Sequence, residues 1–223
     1  MSGFGICFER AVPHGLLVGV ALPGTGDSVP EEVVDGLLGA EQQALASLRG
    51  FRREEWVGGR LALHQALAAI GGPRQPLLTG DGGEVIAPRG WAVSVSHKRE
   101  LAVGIASRAH GGTVGIDLET AEPARPAIAS KILRPDELEI VEALPESRRW
   151  VATLERFTLK EAFYKAVYPY VERLVGFQEV SVHPGLDGSA QFELHLDEGP
   201  FEASGRTEWF DGYVVATVRV RRG

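Results

Sequence analysis

Cysteine and long apolar runs are scarce in this sequence, and each shortage excludes a class of protein. The 223 residues include one cysteine, Cys7, so no disulfide can form within the chain. This favours a reducing, cytoplasmic setting, and the first residues lack the charged-then-apolar pattern of a signal peptide. No apolar run approaches the roughly 20 residues that span a bilayer, which argues against a membrane protein.

Basic charge is also in short supply. The 23 lysines and arginines are outnumbered by 30 acidic residues, which gives a formal net charge of -7. Nucleic-acid backbones are bound by basic surfaces, so this charge argues against nucleic acid as the main partner. A hydrophobic content of 44% and a charged content of 24% suit one large domain or two small ones.

The first half of the chain alternates strand-like and helix-like segments. Residues 15–22 predict a buried strand, and the leucines between 37 and 48 recur at helical spacing. A second helix is predicted from Arg52 to Ile70. Segments 91–96 and 101–107 are predicted to pair as a hairpin.

A polar, glycine-containing stretch around residues 108–113 predicts a domain boundary, which divides the chain into residues 1–112 and 113–223. The second part contains a predicted strand at 114–119, a helix that begins at Pro135, a long helix from Ser147 to Tyr168 ended by Pro169, and strands at 177–183, 189–196 and 212–220. This mixture predicts the α+β class.

Two segments of the second half combine acidic and basic side chains. On the first, a strand, Asp117 and Glu119 project from one face because the side-chain period is two. On the second, a helix, Glu161 and Lys165 are four residues apart and share a face, with Lys160 at its edge. Carboxylates beside ammonium groups suit Mg²⁺ that carries a phosphate or pyrophosphate. The pattern therefore predicts phosphoryl transfer.

The same residues also have ordinary structural interpretations. Asp117 and Glu119, taken alone, are more often solvated residues on a half-exposed strand. A glutamate four residues before a lysine, as in Glu161 and Lys165, is ordinarily a surface pair that contributes about 0.3–0.5 kcal/mol. It is the combination of strand and helix that favours a functional site.

Histidine and arginine residues of the first half are ambiguous in the same way. His97 alone is more often a turn or core residue than a ligand. Ser96 and His97 cannot form a nucleophile and base pair, because neighbours on a strand point to opposite faces. Arg52 and Arg60 lie on a predicted helix, where arginines commonly face water.

Four segments, taken in order, resemble the 4′-phosphopantetheinyl transferases, specifically the longer surfactin-synthetase and enterobactin type. They are Gly59-Arg60-Leu61-Ala62, Ser94-Val95-Ser96-His97, Gly115-Ile116-Asp117-Leu118-Glu119 and the run from Phe157 to Ala166. The resemblance spans roughly residues 50 to 183. Each segment alone is a weak signal, whereas four in the order and spacing of the family argue against a chance match.

The resemblance implies a fold and a reaction. The fold would be a monomer of two similar α+β halves, related by a pseudo-twofold axis, with coenzyme A in the cleft between them. The reaction moves the phosphopantetheine arm of coenzyme A onto a serine of an acyl, aryl or peptidyl carrier protein. The released product is 3′,5′-adenosine bisphosphate.

The resemblance also implies a role for each site residue. Asp117, Glu119 and Glu161 would hold Mg²⁺, or Mn²⁺ in its place, and Glu161 would also remove the serine proton. The catalytic set is Glu161, Lys165 and His97, while coenzyme A would be bound by Arg52, Arg60, Ser96, His97, Lys160 and Lys165. Among these, Arg52 and Arg60 would hold the 3′-phosphate and adenosine end.

The sequence departs from the family pattern at one turn. Many members carry a lysine within Gly-Lys-Pro before the Ser-His strand, and here the segment is Gly83-Glu84-Val85. The cation assigned to the 3′-phosphate or adenine at that turn is therefore missing. Phe157 replaces the more common tryptophan and keeps an aromatic residue at its position.

Two functions of other classes remain as alternatives. A non-catalytic module that binds coenzyme A or a nucleotide would not need all three carboxylates. A metal-dependent phosphohydrolase would use the same carboxylates, although the sequence lacks a second acidic cluster for a two-metal site.

Overall fold

The computed structural model describes residues 3–26 and 29–223, and the chain divides into two units. The first unit is Met1–Gly111 and the second is Gly112–Gly223. Each contains one antiparallel sheet and one long helix that packs on it, so the predicted α+β class is confirmed. Within the described ranges, no helix is both long and apolar enough to cross a membrane.

The first unit is built on a four-stranded sheet. Its elements are β1 (Ile6–Val12), β2 (Gly15–Ala21), α1 (Glu31–Asp35), α2 (Gly39–Leu45), α3 (Gly50–Ala69), β3 (Trp91–Lys98) and β4 (Leu101–Arg108). The strand order is β1-β2-β4-β3. The predicted strand at 15–22, the helix at 52–70 and the hairpin of β3 and β4 are all confirmed.

Helix α3 covers one face of this sheet. Leu63 and Leu67 on the helix are fully buried and pack against a core that includes Val18 and Trp91. Gly104 on β4 makes this packing close, since a Cβ atom there would lie 3.0 Å from the side chain of Leu63. The small residue thus lets the helix lie directly on the central strands.

The second unit is built on a five-stranded sheet. Its elements are β5 (Thr113–Thr120), α4 (Ala129–Ile132), α5 (Pro135–Glu142), α6 (Glu146–Val171), β6 (Val180–Pro184), β7 (Ser189–Leu194), β8 (Phe201–Phe210) and β9 (Tyr213–Arg222). The strand order is β5-β9-β8-β7-β6. Helix α6 packs on the sheet through a core that includes Leu159, Phe163 and Val218.

Gly115 brings helix α6 unusually close to strand β5. A Cβ atom at this position would lie 1.9 Å from the carbonyl oxygen of Ala162 and 2.7 Å from the amide nitrogen of Ala166. Only glycine leaves room for the helix backbone at that separation. The turn of α6 that carries Glu161 and Lys165 is consequently fixed against the strand that carries Asp117.

Three features of the second unit differ from the sequence predictions. Pro169 does not end the long helix, which continues to Val171 and stops where Glu172 adopts a left-handed conformation with φ 50°. Pro169 has no N–H to donate to the carbonyl oxygen of Lys165, so the helix loses one backbone hydrogen bond there and ends two residues later. Strand β6 begins at Val180, because residues 177–179 form a 3₁₀ turn, and strand β8 was not predicted at all.

Candidate functional site

Asp117 and Glu119 lie on the face of β5 that α6 covers. Gly115 points toward α6, and the alternation of a strand places residues 117 and 119 on the same side. Both carboxylates are nearly buried, at 5% and 6% exposure. The predicted pair of carboxylates on one strand face is therefore present, and it is more buried than a solvated surface pair.

Lys165 joins the helix to this strand. Its Nζ lies 2.7 Å from Oδ1 of Asp117 and 2.9 Å from the carbonyl oxygen of Ile116. About a third of the Lys165 side chain is exposed. One ammonium thus contacts both the carboxylate and the backbone of β5.

Glu161 and Glu119 are, with Asp117, the three carboxylates that the sequence predicts as metal ligands. Glu161 is half-buried on α6, one helical turn before Lys165. Glu119 Oε2 lies 3.5 Å from Nη2 of Arg125, whose side chain is half exposed. The sequence interpretation gave Arg125 no role beside these carboxylates, although it stands only six positions after Glu119.

The donor types fit Mg²⁺, which prefers carboxylate oxygens. In the described ranges, however, no group of three Asp, Glu, His or Cys side chains is arranged to hold a metal ion. Oδ1 of Asp117 is engaged by Lys165 in the structure. The three carboxylates therefore agree with Mg²⁺ in chemistry, while the geometry described is that of an ion pair.

Lys160 does not have the position expected of a pyrophosphate ligand. It is fully buried, and its Nζ donates to the carbonyl oxygens of Ile132 (2.9 Å) and Phe177 (2.8 Å) and to Oε2 of Glu137 (2.6 Å). An ammonium has three N–H donors, so all of them are engaged. Burial lowers the pKa of Lys160, and the Glu137 carboxylate opposes that shift. The expected phosphate contact is corrected to a buried structural one.

Arg60 is likewise a buried residue and not an exposed phosphate ligand. Its Nε donates to the carbonyl oxygen of Leu77 at 2.8 Å, and its Nη2 donates to Oγ1 of Thr79 at 2.7 Å. The guanidinium lies 4.3 Å from the ring centroid of Trp56, a cation–π contact. Burial lowers the pKa of Arg60 to about 10, while the negative charge of Glu41 raises it. Arg60 therefore remains charged at neutral pH and anchors the segment around residues 77–79.

Arg52, Ser96 and His97 have different exposures. Arg52 is exposed at the start of α3, and His97 is exposed on β3, whereas Ser96 is buried at 7% exposure. His97 Nδ1 lies 3.4 Å from Oε1 of Glu55. The exposures of Ser96 and His97 agree with the opposite faces predicted for neighbouring strand residues.

The turn that contains Glu84 has no cation at the family's lysine position. Thr79 and Val85 form an isolated β-bridge, and Gly80 donates its N–H to the carbonyl oxygen of Glu84 at 2.8 Å. The Glu84 carboxylate folds over Gly80, since a Cβ atom there would lie 2.0 Å from Oε1. The predicted turn is confirmed, and an acidic side chain lies against it.

Sequence reasoning missed Glu137, the partner of Lys160. Glu137 is the third residue of α5, a position typical of helix capping, and its Oε2 accepts the N–H of Arg134 at 2.8 Å. That local signal was available. The contact to Lys160 joins residues 23 positions apart, and nothing in the spacing indicated it.

Comparison with known proteins shows which family has this pattern. The model of the 4′-phosphopantetheinyl transferase superfamily matches residues 113–218, and the model of the 4′-phosphopantetheinyl transferase N-terminal domain matches residues 40–107. The 4′-phosphopantetheinyl transferase of Nocardia iowensis is 30% identical over 161 residues, which is 68% of each chain.

Two further comparisons cover less of the proteins concerned. The 4′-phosphopantetheinyl transferase of Mycobacterium tuberculosis is 31% identical over 133 residues, 59% of this chain and 58% of that one. The crystal structure of Thermotoga maritima holo-[acyl-carrier-protein] synthase matches with a TM-score of 0.42 and 29% identity, and the match covers 49% of this chain and 63% of that chain.

Proposed function

The chain belongs to the 4′-phosphopantetheinyl transferase superfamily, and on that premise we propose that it transfers the 4′-phosphopantetheine of coenzyme A to a carrier protein. The acceptor is a serine hydroxyl of an apo acyl, aryl or peptidyl carrier protein. The products are the holo carrier and 3′,5′-adenosine bisphosphate.

The observation that carries this proposal is the close packing of α6 on β5 at Gly115. It places the turn with Glu161 and Lys165 against the strand with Asp117 and Glu119. Phosphoryl transfer needs little covalent chemistry from a protein, but it needs positioned charge around the reacting phosphate. This turn and this strand supply both signs of charge on rigid elements.

In the proposed reaction, the serine Oγ attacks the β-phosphorus of coenzyme A and forms a new O–P bond. The bond from that phosphorus to the bridging oxygen breaks, and the electron pair leaves with 3′,5′-adenosine bisphosphate. Glu161 takes the serine proton, directly or through a water. The Lys165 ammonium neutralises charge on the phosphate oxygens, and the His97 ring contacts them.

Asp117, Glu119 and Glu161 are the residues that we propose to hold Mg²⁺. A bound Mg²⁺ neutralises negative charge on the pyrophosphate oxygens. Lys165 contacts Oδ1 of Asp117 at 2.7 Å, and because a carboxylate has several lone pairs, Asp117 could help to hold the ion while that contact is kept. The Lys165 ammonium would then lie beside the site, where it suits a phosphate group.

For the adenosine end of coenzyme A, Arg52 is the candidate that the structure leaves exposed. Arginine binds phosphate in a bidentate manner, which suits the 3′-phosphate. Arg60 acts indirectly in this proposal, because its donors hold the segment of Leu77 and Thr79. His97, which is exposed on β3, is proposed to line the path of the phosphates, whereas the Ser96 side chain is buried on the opposite face of that strand.

The proposal is tested by incubating the protein with an apo carrier, coenzyme A and Mg²⁺ and measuring the intact mass of the carrier. We expect a mass increase equal to one phosphopantetheine. Binding of coenzyme A without Mg²⁺ dependence and without carrier modification would favour a binding module. Release of pantetheine phosphate in the absence of carrier would favour a phosphohydrolase.

Five more detailed features of the proposed enzyme stay predictions. They are the surfactin-synthetase and enterobactin subtype, a monomeric state, a cytoplasmic location, the pseudo-twofold relation of residues 1–112 and 113–223, and Mn²⁺ as a substitute metal.

A further inference from the structure

The ion pair of Lys160 and Glu137 is the most completely buried charged contact described in the second unit. Both side chains have 0% exposure, and Nζ and Oε2 are 2.6 Å apart. Glu137 also accepts the N–H of Val182 through Oε1 at 2.7 Å and the N–H of Arg134 through Oε2 at 2.8 Å. Together with the carbonyls bound by Lys160, the pair connects α4, α5, β6 and the 3₁₀ turn at residues 177–179 to helix α6.

A buried ion pair is weak evidence of stability, because the cost of desolvation offsets the attraction between the charges. Lys160 contacts the backbone of Ile132 and Phe177, and both of these residues belong to an apolar cluster that also includes Val141. An apolar pair could fill the same space. The charged pair must therefore do something that apolar side chains cannot. Its hydrogen bonds are directional, so they can fix the orientation of helix α6.

The orientation that the pair fixes is the rotation of α6 about its axis. Successive helix residues are about 100° apart. Lys160 is bound to α5 through Glu137, and the backbone of Ala162 lies against Gly115 of β5. Glu161 lies between these two contacts. Its direction is thus determined by an anchor on each side.

We propose that Lys160 and Glu137 are positioning residues that set the direction of Glu161 for the transfer step. This inference rests on the proposed function. Both side chains are fully buried, which leaves no surface of the pair for coenzyme A or the carrier, so its loss should lower the rate of transfer and leave the affinity for coenzyme A unchanged. Stability and rate are also separable, because an apolar pair can restore packing without restoring the directional contacts.

The test uses four variants of the full chain. Lys160→Met and Glu137→Gln each remove one charge of the pair, and Lys160→Met/Glu137→Leu replaces the pair with apolar side chains. Lys131→Met is the matched control, because Lys131 is an exposed lysine on the neighbouring helix α4. For each variant, kcat and KM of transfer to an apo carrier, the calorimetric Kd of coenzyme A and the thermal unfolding midpoint are measured.

We expect Lys160→Met and Glu137→Gln to lower kcat by up to about 100-fold, as a small displacement of a catalytic group can do. The double variant should regain most of the thermal midpoint, while its kcat stays as low as that of the single variants. The Kd of coenzyme A should match wild type in all of them, and Lys131→Met should match wild type throughout.

Three results would overturn the inference while the wild type remains active. A weaker Kd in Lys160→Met but not in Glu137→Gln would make Lys160 a phosphate ligand. If the double variant recovers kcat together with the thermal midpoint, the pair only stabilises the fold. If kcat is unchanged in the single variants, the pair has no role in positioning Glu161. Absence of transfer by the wild type would instead refute the proposed function, and this inference with it.

Discussion

The long helix of each unit carries a deeply buried cation, Arg60 in α3 and Lys160 in α6, and these two are neutralised differently. Arg60 of α3 donates to a carbonyl and a hydroxyl and stacks on Trp56, and Glu41 acts on it only through its charge. Lys160 of α6 contacts a carboxylate directly. Each long helix thus combines a buried structural cation with a more exposed one, Arg52 in α3 and Lys165 in α6, and exposure separates the two groups.

The largest effect should come from Asp117. Its carboxylate pairs with Lys165, the more exposed of the two helix α6 lysines. Asp117→Ala removes a proposed metal ligand and the partner of the Lys165 ammonium. We expect transfer to fall by at least about 100-fold, as for the loss of one electrostatic group at a reacting centre. The carrier mass assay measures this, and an unchanged circular dichroism spectrum would show that the fold is intact. Activity like that of wild type would remove Asp117 from the site.

The packing of α6 on β5 can be broken by one methyl group. Gly115→Ala places a Cβ 1.9 Å from a backbone oxygen that cannot rotate away, so the helix must shift. We expect a loss of about 1–3 kcal/mol in the free energy of unfolding, as for other overpacked cores, together with slower transfer. Urea unfolding measures the first quantity. Gly39→Ala is the control, since a Cβ there meets nothing within 4 Å, and equal effects of both substitutions would contradict this explanation.

The contrast between Arg60 and Arg52 can be sharpened by a matched pair of substitutions. Arg60→Met removes buried charged hydrogen bonds, so we expect it to cost about 1.5–3 kcal/mol of unfolding free energy. Arg52→Met should change stability by less than about 0.5 kcal/mol, as exposed substitutions do, and should weaken coenzyme A binding. Urea unfolding and calorimetry separate the two. The reverse pattern would exchange their roles.

The smallest effect concerns Glu41, which is fully buried in the first unit. Burial opposes its ionisation, but hydrogen bonds from His64 and from the N–H groups of Leu77 and Leu38 outweigh burial and lower the pKa of Glu41. A carboxylate with a lowered folded-state pKa stabilises the protein above the unfolded value of about 4.3, and this contribution is lost as pH falls through the folded value. Glu41→Gln should therefore flatten the acid side of the stability curve. A variant with the same acid slope as wild type in urea unfolding would contradict the assignment.

The local geometry of the candidate site could be predicted because its signals lie within single elements. The period of a strand placed Asp117 and Glu119 on one face, and the period of a helix placed Glu161 near Lys165. The exposure of Lys160 and Arg60 could not be predicted in this way. It depends on contacts to Glu137 and Leu77, which are 23 and 17 positions away, and sequence spacing carries no signal for such contacts.

The same distinction applies to the fold. The strands at residues 91–98 and 101–108 have buried, apolar patterns and were found. Strand β8 was missed, because residues 201–210 are largely half-exposed and mix charged with aromatic side chains. Its place in the sheet is fixed by pairing with β9 along the whole strand, a long register that local composition does not reveal.

The central claim is that Lys160 is a structural cation and that Lys165 faces the ligand. The most direct test compares Lys160→Met with Lys165→Met. The measurement is the Kd of coenzyme A in the presence of Mg²⁺ by calorimetry, made on both variants and on wild type. We predict weaker binding for Lys165→Met and wild-type affinity for Lys160→Met. Weaker binding for Lys160→Met with unchanged affinity for Lys165→Met would contradict the account.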